Sequence, residues 1–149
     1  MNKPFADKPC PTCGRYTNRG LSTNAVIIND GRVLLVRRGV EPFKGLWAVP
    51  GGYVEWDETV EQAVVREVKE ETCLIATKTT LIGVFSSPSR DPDQVVNCSY
   101  LVEAADVSKL QAGDDAEEAR WFALNDLPER LAFDHRKQID AAMTMLSSA

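Results

Sequence analysis

The sequence predicts an α+β fold, and three observations carry that reading. Two Val/Ile/Leu-rich runs flank Asn29-Asp30-Gly31 in "NAVIINDGRVLLVRR", the pattern of a β-hairpin. Val60, Val64 and Val68 recur at helical spacing in an uninterrupted stretch, and Ile139, Ala142, Met143 and Met145 or Leu146 do the same near the C-terminus. Strands and helices therefore both occur, with no internal repeat.

Taken in order, residues 1–20 are polar and read as an irregular arm, and 21–149 as the folded domain. After the hairpin, "GLWAVPGG" is a short strand ending in a glycine turn. The stretch 57–72 is helical, with Asp57 as its cap. "IATKTTLIGVFSSP" gives one or two strands and "QVVNCSYLVEAAD" another. "EARWFALNDLP" gives a strand and a turn into a helix start. "HRKQIDAAMTMLSSA" closes the chain as an amphipathic helix.

Composition bounds the function. At 149 residues and net charge −5, the chain is one domain with little affinity expected for nucleic acid, although bound cations would still admit an anionic substrate. No apolar run of about 18 residues exists to span a membrane, and the first residues lack a signal-peptide core, so a cytoplasmic protein is expected. Cys10 and Cys13 in "CPTCG" form half of a zinc knuckle. The second ligand pair that a structural Zn²⁺ needs is not in the sequence nearby.

The chemistry concentrates in "GGYVEWDETVEQAVVREVKEETCL". On an ideal wheel with Glu67 at zero, Glu71 falls at about +40° and Glu70 at about −60°. Val60, Val64 and Val68 fall at about 20°, 60° and 100° on the same wheel. Glu71 thus lies inside the apolar stripe and Glu67 at its edge, with Lys69, Gln62 and Arg66 on the far side. Carboxylates aimed together at the protein body repel and need neutralising. An ion pair with Arg66 would do so, and so would a hard divalent cation such as Mg²⁺ or Mn²⁺.

The same stretch resembles the Nudix box, G-x5-E-x7-R-E-U-x-E-E-x-G-U, where U is aliphatic. Gly52, Glu58, Arg66, Glu67, Val68, Glu70, Glu71 and Leu74 fill their places, and Cys73 stands where the pattern has its second glycine. The resemblance implies an α/β/α sandwich with a mixed central sheet, and hydrolysis of a nucleoside diphosphate linked to a group X. It implies Gly52, Glu67, Glu70 and Glu71 as metal ligands, Arg66 as the residue orienting them, and Glu58 as support. If position 73 needs a left-handed backbone, cysteine there costs about 1 kcal/mol.

Beyond the box, "EPFKGLWAVPGGYVE", "SSPSRDP" and "LAFDH" resemble the ADP-ribose pyrophosphatase branch, which implies cleavage of ADP-ribose to AMP and ribose 5-phosphate by a homodimer. The chain departs from that branch at Asp93-Gln94-Val95, where Arg-Gly-His is usual. The alternatives are a hydrolase of nucleoside triphosphates or dinucleotides, and a non-catalytic nucleotide-sensing domain. Arg37, Arg38, Lys44 and Arg90 are candidate cations for the diphosphate, with at most one of Arg37 and Arg38 facing the site because they alternate on a strand. Phe43, Trp47, Tyr53 and Tyr100 are candidate stacking rings. In "GDDAEEA", Glu117 and Glu118, with Asp115 behind them, are candidates for an extra catalytic glutamate. The general base stays open between Glu67, Glu71 and this loop. His135 is expected to hydrogen-bond locally.

Overall fold

In the computed structural model, residues 8–113 and 116–149 are described. The hairpin forms, but its first run divides between two sheets. β1 (Leu21–Val26) leaves the pattern at Ile27, and β2 (Ile28–Asn29) pairs with β3 (Arg32–Arg38) across Asp30-Gly31. Both turn residues have positive φ, 56° and 71°, as a tight hairpin of this twist requires. "GLWAVPGG" likewise yields two pieces, β4 (Trp47–Ala48) and β5 (Gly51–Tyr53), separated by Val49-Pro50.

Helix α1 (Val60–Thr72) starts three residues later than the sequence suggests. Thr59, not Asp57, is the cap. Its hydroxyl accepts from Gln62 N–H while Gln62 returns a bond to Thr59 N–H, and Asp57 sits in the preceding loop at φ 64°. The helix ends on Cys73 in the left-handed conformation, φ 61°. We predict that Cys73→Gly raises stability by about 1 kcal/mol, read from the urea midpoint.

β6 (Ile75–Phe85) and β7 (Val96–Ala105) form a long antiparallel pair, followed by β8 (Ala116–Ala123) and α2 (His135–Ser147). No helix starts at "LNDLP". Leu127 and Leu131 pack instead into the apolar cluster beneath α2, and Leu131 bridges to Trp47. One sheet is mixed, in the order β5-β1-β7-β6 with β1 and β7 parallel; in the other β3 pairs with β2, β4 and β8.

Alternation along the central strands builds the layers. Ala25, Ile27 and Leu34 pack against Val64 and Val68 of α1. Val26, Val33 and Leu35 point the other way, against Ile139 and Ala142 of α2. These buried aliphatics hold α1 and α2 on opposite faces of the strands, the α/β/α sandwich anticipated from the box. Residues 8–20 are irregular, and Arg19 ties the arm down by donating to the carbonyls of Gln94 and Ser86.

Candidate active site

Gly51 and Gly52, expected from the sequence to form a turn, lie instead in β5, paired with Asn24 and Thr23 of β1, where backbone must touch both that strand and α1. A Cβ on Gly51 would lie 2.1 Å from Asn24 Oδ1 and 2.2 Å from the Thr23 carbonyl. A Cβ on Gly52 would lie 2.3 Å from Glu67 Oε1. Gly51 N–H donates to Glu71 Oε2 at 3.0 Å, so β5 and the acidic helix face meet directly.

Arg66 gathers the carboxylates. It donates to both oxygens of Glu58 (2.6 and 3.0 Å), to Glu67 Oε1 (2.8 Å), to Glu70 Oε2 (3.0 Å) and to the Tyr53 carbonyl (3.0 Å). The wheel puts this side chain toward solvent, but its length lets it fold back over β5. Arg66, with the Glu55 N–H, holds the Glu58 carboxyl down to about 2. Burial pushes Glu67 above the usual carboxylate range, against the pull of Arg66.

Glu67 and Glu71 thus meet β5, and Glu70 joins Glu67 through Arg66, yet no group of three His, Cys, Asp or Glu among the described residues is arranged to hold a metal ion as it stands. Glu67 and Glu70 face Arg66 and Glu71 faces Gly51. The donor set nevertheless fits a hard divalent cation: carboxylate oxygens on one helix face, beside a glycine kept free of any Cβ against Glu67.

Beside β5 lies a cleft of about 310 Å³, reached by Glu71, Gly51 and Gly52. Arg38 and Tyr53 line it, and Tyr53 is 59% exposed, a ring available for stacking. Arg37 lines it as well. A bulge between Arg37 and Arg38 breaks the strand alternation that would have sent one of them away. Arg90 reaches the cleft wall, but its guanidinium is buried, donating to Asp134 Oδ1 at 3.0 Å and to the Val95 carbonyl at 2.8 Å. It braces the wall more than it offers a free charge.

Other candidates lie outside the cleft. Trp47 packs edge-on against Phe122, and Tyr100 is buried with its hydroxyl donating to Glu61. Phe43 stands behind Phe133, the ring that does line the cleft. Lys44 is exposed and away from the lining. Glu117 and Glu118 belong to β8 rather than a loop. Glu117 pairs with Arg37, and Glu118 with Arg37 and Arg120, so neither points a spare carboxylate at β5. Asp115 lies outside the described residues. Cys10 and Cys13 form a tight turn closed by Gly14 N–H to the Cys10 carbonyl, and backbone N–H groups of Cys13 and Thr12 lower the Cys10 thiol. Among the described residues no further ligand completes that pair.

Sequence reasoning missed Asn24, Asn97 and Phe133, which carry no motif and become site residues only when β1, β7 and the loop before α2 converge. His135 is buried at the cleft floor. Val49 N–H donates to its Nδ1 at 3.1 Å, and Nε2 lies 3.0 Å from the Asn24 amide. Burial first, then the charges of Arg90 and Arg38, hold its pKa down to about 3. Between pH 6.5 and that value the unfolded chain binds a proton that the folded chain refuses, so stability falls as pH drops. We predict that the wild type loses about 2 kcal/mol more than His135→Gln between pH 7 and 5, measured by urea unfolding.

With this geometry in hand, the class is settled by comparison. Residues 18–142 match the NUDIX domain, and the chain belongs to the Nudix family of hydrolases, enzymes that are generally dependent on divalent metal. It is 49% identical over 125 residues to an ADP-ribose pyrophosphatase of Methanocaldococcus jannaschii, covering 83% of this chain and 73% of that one. Its fold matches the NUDIX domain of Shewanella oneidensis NrtR complexed with ADP ribose, with a TM-score of 0.79 at 30% identity, covering 88% of this chain and 90% of that one. A MutT NUDIX hydrolase from Burkholderia pseudomallei gives 0.76 at 32% identity, covering 84% and 98%.

Proposed function

We propose that this Nudix pyrophosphohydrolase cleaves ADP-ribose to AMP and ribose 5-phosphate, with Mg²⁺ as its metal. The observation that carries the reading is that Glu71 and Glu67 meet β5 at Gly51 and Gly52 beside the cleft, with Glu70 joined to Glu67 through Arg66. Likeness to the M. jannaschii ADP-ribose pyrophosphatase and to the NrtR domain complexed with ADP ribose supports the substrate.

Glu67, Glu70, Glu71 and the Gly52 carbonyl would hold the cation. Bound there, Mg²⁺ would supply Lewis acidity to the diphosphate and acidify a water. The rest falls to the chain itself. Arg66 fixes the carboxylates and keeps them from repelling one another apart. Arg38, lying over Phe133 at 5.1 Å, presents positive charge to the cleft. We take the base from the helix, Glu67 or Glu71, because the Glu118 charge is held on Arg37 and Arg120. The water proton passes to that carboxylate as the oxygen joins phosphorus and the P–O–P bridge breaks.

We also read the protein as a homodimer without nucleic-acid partners. β6 is a sheet edge on which Leu81 and Val84 are about half exposed, and net charge −5 opposes a polyanion. No helix among the described residues is long and apolar enough to cross a membrane, and the free thiols of Cys10, Cys13, Cys73 and Cys98 suit the reducing cytoplasm. Chromatography of products from ADP-ribose, a dinucleotide and a nucleoside triphosphate with Mg²⁺ tests the activity. AMP released chiefly from ADP-ribose is the expected result, and preference for either other substrate overturns the ADP-ribose assignment. Sedimentation velocity tests the dimer, which a monomer at micromolar concentration would refute.

A further inference from the structure

Between β4 and β5 the chain passes from one sheet to the other, and Val49-Pro50 is the crossing. Proline has no N–H, so this linker has one backbone donor, that of Val49. A side chain receives it. Val49 N–H donates to His135 Nδ1 at 3.1 Å, while the Pro50 carbonyl accepts from Ala25 N–H at 2.8 Å. The linker is thus fixed by α2 at one residue and by β1 at the next. Gly51 follows directly, and its N–H donates to Glu71 Oε2 at 3.0 Å.

The ring itself is held from behind. His135 is 3% exposed, and its Nε2 lies 3.0 Å from Asn24 Nδ2. Asn24 stands opposite Gly51 in the β1–β5 register and meets Gln138 Oε1 at 2.9 Å. Gln138 Nε2 donates to Asp134 Oδ1, which also receives Arg90. A run of polar side chains thus links Arg90 to the Val49 backbone. An apolar side chain at position 135 could fill the same space, but it would leave the buried Val49 N–H without this acceptor. What histidine adds beyond packing is the lone pair on Nδ1.

We propose that His135 is a positioning residue for the hydrolysis: by accepting the Val49 N–H it sets the backbone from Val49 to Gly51, and so keeps the Gly51 N–H on Glu71. It acts through the backbone and not by touching substrate. Glu71 is the group it serves, one of the carboxylates that would hold the cation. The inference rests on the pyrophosphohydrolase reading, and it deepens that reading by naming a residue outside the box that holds a box carboxylate in place.

Three variants separate the acceptor from the bulk of the ring. Asparagine carries its oxygen on Cγ, as histidine carries Nδ1, whereas the glutamine amide lies one bond further out and leucine accepts nothing. His135→Gln and His135→Leu are expected to lower kcat about tenfold, to change KM for ADP-ribose less than about twofold, and to weaken Mn²⁺ binding about tenfold. His135→Asn is expected to rescue both kcat and Mn²⁺ affinity to within about threefold of wild type. Activity that follows Tm across the folded variants, with no rescue by asparagine, makes His135 a packing residue and overturns the proposal. Hydrogen exchange in metal-free protein reads the same link without turnover. Relative to the Leu34 amide of β3, the Gly51 amide is expected to lose about tenfold in protection in His135→Gln and to keep it in His135→Asn, and an unchanged ratio in His135→Gln overturns the proposal. The wild type supplies a test that needs no variant to fold: its Val49 and Gly51 amides are expected to show protection within about threefold of each other, and Gly51 opening independently of Val49 overturns the link. Wild-type protein with the expected amide behaviour that hydrolyses no ADP-ribose would overturn the activity reading alone.

Discussion

Glu67→Gln is expected to lower kcat by about a hundredfold or more while leaving Tm unchanged or slightly raised. The two effects have one cause. Glu67 is held at β5 with its side chain largely out of water, and burial raises its pKa despite the 2.8 Å bond from Arg66. Its charge is therefore a strain on the fold that a purely structural residue would not retain. Glutamine keeps the shape and removes the charge, and Arg66 still has Glu58 and Glu70. Steady-state kinetics with thermal unfolding check this together. A fall in Tm of several degrees with activity preserved would make Glu67 a structural ion-pair partner.

Gly51→Ala is expected to destabilise the protein by about 3 kcal/mol and to abolish turnover. The new methyl would fall 2.2 Å from the Thr23 carbonyl, and backbone in a paired strand cannot retreat as a flexible side chain could. Relief would come from separating β5 from β1, which also breaks the Gly51 N–H bond to Glu71. Gly52→Ala makes the informative contrast. Its methyl meets the end of the Glu67 side chain, which can rotate, so it should cost less stability while still displacing a carboxylate from β5. Urea unfolding of both variants checks the order.

The acidic helix face was legible because helical spacing alone places Glu71 inside the valine stripe and Glu67 at its edge, and the box spacing then ties them, with Glu70, to Gly52 and Arg66. The C-terminal helix was legible for the same reason. The strands were harder. Nothing in "NAVIIND" announces that the chain changes sheets at Ile27, since apolar residues continue on both sides of the break. Arg37 and Arg38 misled through a bulge that appears only once β3 pairs with β8. Glu118 looked like a loop carboxylate because the acidic run hides a strand whose partner, Arg37, lies about 80 residues earlier. Asn97 and Asn24 carry no local signal at all. They become site residues through the parallel pairing of β1 with β7, a long-range contact that sequence periodicity does not encode.

The most direct test of the account is Mn²⁺ binding, followed by electron paramagnetic resonance, in the wild type and in the combined Glu67→Gln, Glu70→Gln, Glu71→Gln variant. The account predicts binding by the wild type and its loss in a variant that still unfolds cooperatively. Equal binding by the two folded proteins would contradict it, and would reduce the carboxylates around Arg66 to a structural ion-pair network.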